Sequence, residues 1–378
     1  MSEGLIPSIE ECFSELHDPR VEGRCDHKLI DMVVLTICGV ICGADGWVGV
    51  ETYGKEKEEF LREHLELPNG IPSHDTLGRF FAALDSEGFQ AGFAQWVETV
   101  FELTDGQVVA IDGKTARRSH DHRLGKAAIH MVSAWAVSNG IALGQRKVND
   151  KSNEITAIPE LLKVLDVAGC VVTIDAMGCQ TEIARTIIDQ KADYVLAVKD
   201  NQGNLCQDIE DWFAYADQVQ FKNMQADHHQ IINKNQGRVE IRQCWAIADP
   251  LAFEYIRHYE GWANLQTIVR VRRERREADR THIETTYYIS SLPPDAQHLL
   301  TCTRHHWAIE NAFHWVLDVT FREDDSRVRS GYAPENFAVL RHLALNILKQ
   351  DQSKASLKQK RFRAALNDQF LLHLLAQI

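Results

Sequence analysis

Three apolar runs separated by turns, followed by alternating helix and strand, confine residues 108–198 to a narrow set of folds. Val108-Val-Ala-Ile111 reads as a short strand ending at Asp112-Gly113. Ile129–Val137 and Ile141–Val148 follow as a hairpin around Ser138-Asn-Gly140, whose Asn-Gly pair tolerates the backbone a tight hairpin needs. Ile155–Leu165 then has helical period, Val171-Val-Thr-Ile174 is a second buried strand ending at Asp175, Thr181–Asp189 is helical, and Tyr194–Val198 is a further strand. The order β-β-β-α-β-α-β implies a mixed sheet in which an antiparallel meander is continued by crossover-connected strands. Ligands and catalytic groups gather beyond the strand ends of such α/β sheets. Asp112 and Asp175 each close an apolar strand, and if those strands are neighbours the two carboxylates stand side by side.

The flanks read differently. Residues 9–100 show helical spacing in Leu29–Cys42, Val50–Leu65, Thr76–Leu84 and Phe89–Phe101, with Ser73 placed as an N-cap. A short helix after a turn fits the second helix of a helix-turn-helix, but the acidity of this leader favours a bundle packed on a neighbouring domain. Residues 204–296 read as an insertion in which Leu205–Ala214 is helical and Arg238–Ala246, Thr267–Arg272 and Glu284–Ser291 are strands. Helices return in Thr301–Val319 and Pro334–Leu348. The chain thus divides into an acidic helical domain over 1–100, a catalytic domain over 101–350 with a strand-rich insertion at about 204–296, and a basic helical tail over 351–378.

Whole-chain charge is a poor guide to partners here. The net charge is -13, yet residues 1–100 hold seven Lys and Arg against nineteen Asp and Glu, leaving the other 278 residues almost neutral, with basic clusters at Arg270–Arg276 and Lys354–Arg363. Nine cysteines with no Cys-x-x-Cys pair argue against a disulfide framework and for free thiols in a reducing compartment. The first residues lack the pattern of a signal peptide, and the longest apolar run, Met32–Cys42, is too short to cross a bilayer. A cytoplasmic protein with no membrane partner is expected.

The segment His305–Asp318 supplies the remaining candidate chemistry. His306, Glu310 and His314 recur every four residues and share one helix face, with Asp318 continuing the stripe. Asp112, Asp175 and Glu310 together offer the three carboxylates that hold hard divalent cations at a phosphodiester-cleaving centre. Singly, each has a plainer reading: Asp before Gly is a turn residue, and Glu on a helix is a solvated charge. A zinc site on the His-Glu-His stripe is the lesser alternative, because His-Glu-x-x-His is absent and carboxylate-rich sites suit magnesium. Trp307 and Trp315 are expected to pack in the core.

Several longer motifs carry a resemblance. Ala110-Ile-Asp-Gly-Lys-Thr115, Lys151-Ser-Asn-Glu-Ile-Thr-Ala-Ile-Pro-Glu160, Thr173-Ile-Asp-Ala-Met-Gly-Cys-Gln180, Tyr194–Gln202, His306-Trp-Ala-Ile-Glu-Asn311 and Leu317–Asp324 are similar to those of the H-repeat-associated, DDE-type insertion-sequence transposases, over nearly the whole chain. The resemblance implies a ribonuclease-H-like core interrupted by a strand-rich insertion before the last acidic residue. It matches Asp112, Asp175 and Glu310 to the three family carboxylates. Many related transposases carry a Tyr, an Arg and a Lys around the glutamate, where this chain has Thr303, His306 and Leu317; His306 can still contact a phosphate, but Leu317 cannot.

The implied activity is cleavage of element ends and joining of their 3′ ends to target DNA, with Mg²⁺, or Mn²⁺ in its place, held between Asp112 and Asp175 and between Asp112 and Glu310. Double-stranded DNA, as element ends and as target, is then the partner, and a homodimer on DNA is expected because two ends must meet. By position, Lys114, Arg117 and Arg118, within a basic turn that also holds His122 and Arg123, are candidates for DNA contact. So are Lys199 and Asn201 beyond another strand, Arg272, Arg273 and Arg275 in the insertion, and His306 and His314. The competing readings are a catalytically silent DNA-binding relic and a metal-dependent nuclease that cuts without joining.

Overall fold

The computed structural model describes residues 7–21, 23, 25–120, 128–148, 154–235, 238–277 and 280–376. His122 and Arg123 of the basic turn, and the first three residues of the Lys151–Glu160 motif, lie outside the described residues.

The strands are β1 (Val108–Thr115), β2 (His130–Ala136), β3 (Ile141–Val148), β4 (Val171–Ile174), β5 (Asp193–Val198), β6 (Ala226–Asn235), β7 (Arg238–Ile247), β8 (Thr267–Glu277) and β9 (Arg280–Ser290). They form one nine-stranded sheet ordered β3-β2-β1-β4-β5-β9-β8-β7-β6. β1, β2 and β3 are an antiparallel meander, and β4 and β5 run parallel to β1. Their order, 3-2-1-4-5 with two helical crossovers, is the ribonuclease-H-like arrangement, and the insertion extends the same sheet through antiparallel pairing of β9 with β5.

Two strand limits differ from those read in the sequence. β1 does not stop at Asp112: residues 112–115 pair with Ser133 through His130 of β2, although the ladder to β4 ends at Ile111 and Ile174. β6 (Ala226–Asn235) was not expected, because its residues lack apolar alternation; it forms by pairing with β7 along its whole length.

Both faces of the sheet are covered. Val108, Val171, Val195 and Ala197 meet Leu299, Leu300 and Cys302 of the helix Ala296–His306, which crosses the sheet and brings the chain back to β1. The helix Ala333–Gln350 is buried around its whole circumference from Ala333 to Leu348, with the polar side chains of Glu335, Asn336, Arg341, His342 and Asn346 inside as well. It covers the β3 edge, where Asn346 both donates to the Ala142 carbonyl and accepts from its N–H, at 2.9 Å each.

The leader helices pack on that same buried helix. Leu29–Ile41, His74–Ala83 and Ser86–Val100 share one core with it and with β1–β5. Ser73 caps His74–Ala83 as expected, accepting from Thr76 N–H at 3.2 Å. At its other end the carbonyls of Phe81 and Leu84 accept from the buried Asn336 amide, so the helix is clamped into the core, as the bundle reading expects and a helix-turn-helix does not. The basic tail is also partly consumed: Arg361 is buried and donates to the carbonyls of Thr320 and Val40, and buried Lys360 donates to Leu348 and Asp351. Among the described residues no helix is long and apolar enough to cross a membrane.

Candidate active site

The end of the β1–β4 ladder sets the first two acids. Because Ile111 pairs with Ile174, Asp112 and Asp175 are the next residues of adjacent parallel strands. Asp175 caps the short 3₁₀ turn Ala176–Gly178, accepting from Met177 N–H at 3.0 Å and Gly178 N–H at 3.4 Å. Asn201, beyond β5, donates to the Ala176 carbonyl at 2.6 Å, so its amide braces the Asp175 turn and is spent internally.

Gly113 is fixed by close packing. A Cβ there would lie 2.5 Å from Glu154 Oε1 and 2.6 Å from His130 Nε2. Those two side chains are buried and joined at 2.5 Å, with His130 Nδ1 also 2.7 Å from the Thr115 hydroxyl. The Asp-Gly pair therefore lies within a strand and is not a turn.

The third acid comes from the chain leaving the crossing helix. The single helix expected over Thr301–Val319 is broken: Ala296–His306 is followed by a π-helical segment Ile309–His314 and then Trp315–Val319. Such wide turns recur at functional sites. Here the segment turns Glu310 and His314 onto β1: His314 Nδ1 is 3.6 Å from Asp112 Oδ2 and 3.9 Å from Glu310 Oε2. Donor atoms of Asp112, Glu310 and His314 all lie within 4.8 Å of one another, the one such group among the described residues. Asp175 is not a member of that group, but its charge reaches Asp112.

The electrostatics of this cluster favour a cation. Burial, together with the carboxylates of Glu310 and Asp175, pushes Asp112 up to about 8. His314 is driven down to about 3, mainly by burial and then by Lys114, so its imidazole is neutral, and its Nε2 is buried without a hydrogen-bond partner. No Lys or Arg forms an ion pair with Asp112, Asp175 or Glu310 among the described residues. Two carboxylates and a neutral imidazole, with a third carboxylate adjacent, are a donor set that fits a divalent ion.

The nearest lysine is turned away from the acids. Lys114 is held by Asp318 at 2.5 Å, Glu323 at 2.6 Å and Asp324 at 3.9 Å, and Glu323 also faces Arg341 at 3.6 Å. This corrects the expectation that Lys114 meets phosphate: it neutralises a buried acidic pocket beneath the site. His314 and His306 are likewise enclosed, His306 sitting against the Thr173 hydroxyl at 3.3 Å.

The remaining candidates stay at the surface. Arg117 and Arg118 are exposed and touch Asp324 and Asp325 at 3.3 and 3.2 Å. Lys199 is exposed, with no ion pair among the described residues. Arg272, Arg273 and Arg275 lie within β8, not in a loop, because that strand runs on to Glu277; they contact Glu274, Glu240 and Glu277 and stay about two-fifths exposed. Trp307 and Trp315 are also not core residues: they are 58% and 57% exposed on either side of Glu310. Sequence spacing gave no sign of this, because the π turn resets which residues face the sheet.

Comparisons with known proteins show the family. The family described as "Transposase DDE domain" matches residues 100–347, and the one described as "DDE_Tnp_1-associated" matches residues 10–97. "Putative transposase YncI" of Escherichia coli O157:H7 is 41% identical over 98% of this chain and 95% of its own length. "H repeat-associated putative transposase YhhI" of Escherichia coli (strain K12) is 39% identical over 98% of both chains. A short relative named "Inactive transposase YbfQ" aligns with only 20% of this chain, at 40% identity. Among solved structures, a piggyBac transposase synaptic complex with hairpin DNA covers 98% of this chain and 77% of its own at 10% identity and a TM-score of 0.43, too loosely to transfer geometry.

A ribonuclease-H-like sheet with one acid where the ladder of its first and fourth strands ends, a second just beyond the fourth strand and a third on the segment that closes over them is the arrangement of a DDE-type protein. The chain belongs to the DDE transposase family, in its H-repeat-associated group.

Proposed function

We propose that this protein cleaves the DNA ends of an insertion element and joins their 3′ ends to target DNA, using a divalent cation held by Asp112, Asp175 and Glu310, with His314 as an added donor. The observation that carries this reading is the convergence of Asp112, Glu310 and His314 within 4.8 Å at the end of the strand pair that also bears Asp175, with no Lys or Arg ion-paired to them among the described residues. Magnesium or manganese bound there would lower the pKa of a water or a 3′-hydroxyl and stabilise the leaving oxygen.

The chain's own residues do the positioning. Asn201 and the Asp175 cap fix the second acid, and the His130–Glu154 pair packs β1 so that Asp112 is held at the ladder end. Glu310, 56% exposed, faces the side from which DNA would approach. Arg117, Arg118 and Lys199, and the partly exposed Arg272, Arg273 and Arg275, are the cations available to DNA phosphates, and a homodimer would pair two ends.

The test is a strand-transfer reaction with Mg²⁺ or Mn²⁺ on a plasmid carrying the gene's flanking DNA. New covalent joints between element 3′ ends and target support the proposal. Cuts without joints mean a nuclease, and bound but uncut DNA means a silent relic.

A further inference from the structure

The acidic leader has few cations, and how they are used is informative. Of its six described Lys and Arg residues, Arg20, Lys28, Lys55, Lys57 and Arg62 are ion-paired, to Asp18, Glu66, Glu51, Asp368 and Glu58. Arg79 is exposed and has no ion pair among the described residues. It lines a cavity of about 600 Å³ between the helix His74–Ala83 and the segment 322–330.

The facing wall is also basic. Arg327 is exposed with no ion pair among the described residues, and Arg329 donates Nε to the Arg118 carbonyl at 3.0 Å, a neutral acceptor that leaves its charge uncompensated. Arg322 is balanced by Asp45 and Asp325, at 3.2 and 3.3 Å. Asp45 and Asp325 share the one charge of Arg322, and Asp75 lies 3.6 Å from the His74 imidazole. Four arginines and three aspartates line the cavity, which leaves it a formal charge of +1, and Arg79, Arg327 and Arg329 make no ion pair among the described residues.

The walls are held in place and connect to the candidate active site. Tyr332 N–H donates to the Ala82 carbonyl at 3.0 Å, docking the segment against the end of the leader helix. Arg118 reaches Asp325 on the rim, Arg117 reaches the neighbouring Asp324, and Asp324 also faces Lys114, two residues beyond Asp112 on β1. Arg117 and Arg118, each paired with an aspartate, thus lie between the acidic centre and the cavity that Arg79 and Arg327 line, so arginines recur along this path. Such a path matches a linear polyanion better than a single small anion.

We infer that this cavity is a DNA-backbone phosphate site built jointly by the leader and the catalytic domain, which grips DNA leaving the acidic centre. The inference rests on the function proposed above. It gives the leader helices a direct contact with DNA through Arg79, despite their strongly negative charge.

The test uses the full-length protein and measures how duplex affinity depends on salt. Each phosphate contact contributes about 0.9 to the slope of log affinity against log salt, so Arg79→Ala with Arg327→Ala should flatten it by about 1.8. Replacing both with Lys should restore it, because counterion release follows charge. Both side chains are exposed and unpaired, so the thermal midpoint of each variant should match the wild type.

An unchanged slope in the alanine variant, with wild-type DNA binding intact, overturns this inference and leaves the transposase reading standing. A wild type that binds no duplex overturns both. If inorganic phosphate protects Arg79 and Arg327 from phenylglyoxal while the alanine variant keeps the wild-type slope, the cavity holds a free anion and the DNA assignment fails.

Discussion

His314 Nδ1 lies 3.6 Å from Asp112 Oδ2, and the pair joins a buried imidazole on the closing helix to the first acid of the sheet. Burial keeps that imidazole neutral, so it is available as a donor to a cation and is not a counter-charge to Asp112. The candidate centre is therefore two carboxylates and an imidazole in mutual reach, flanked by Asp175.

His314→Ala should weaken Mn²⁺ binding at least about 10-fold. Titrating Mn²⁺ against the thermal midpoint reads this directly. Equal midpoint gains in wild type and variant would mean His314 only packs behind Asp112.

Lys114→Met should destabilise the fold by about 3–5 kcal/mol, because it removes the nearer of the two cations beside buried Glu323 and leaves half-buried Asp318 without its lysine. Burial opposes ionisation of Glu323, yet Lys114 and Arg341 hold its pKa down at about 2, so it remains charged when folded. Urea unfolding measures the loss. A variant as stable as the wild type would show that Lys114 is free to serve DNA after all.

His342 sets an acid limit on stability. It is fully enclosed, tilted against Phe313 with ring centroids 5.0 Å apart, and burial lowers its pKa to about 4 against an ordinary 6.5. The unfolded chain takes up a proton at a pH where the folded chain does not. Stability should therefore fall as pH drops from 6.5 towards 4, by up to about 1.4 kcal/mol per pH unit for this group. Unfolding of His342→Leu across that range should show a shallower slope, and an identical slope would remove His342 as the cause.

Gly331→Ala should loosen the segment that docks on the leader. Gly331 has φ +52°, and an added Cβ would lie 2.1 Å from the Ala82 carbonyl oxygen, which is backbone and cannot swing aside. A loss of about 1–3 kcal/mol is expected in urea unfolding. No loss would mean that the contact yields freely.

Much of the framework was legible because it depends on local pattern. The hairpin at Ser138-Asn-Gly140 has Gly140 at φ +67°, and the two apolar runs that lead into Asp112 and Asp175 are neighbours, the condition on which the two carboxylates stand side by side. Other features depend on distant partners. Lys114 looks like a free cation beside an acid until Asp318 and Glu323, more than 200 residues on, close around it. β1 runs past Asp112 through polar residues because β2 pairs with them, and Trp307 and Trp315 face outward because a π turn changes the helix register.

The central claim is that the centre at Asp112 performs the DNA chemistry. A plasmid bearing the gene's flanking DNA, incubated with Mg²⁺ or Mn²⁺ and either the wild type or Asp112→Ala, tests it most directly. Cleaved and joined ends with the wild type, and none with a folded Asp112→Ala that still binds the DNA, are expected. Equal cleavage by the two proteins would contradict the assignment.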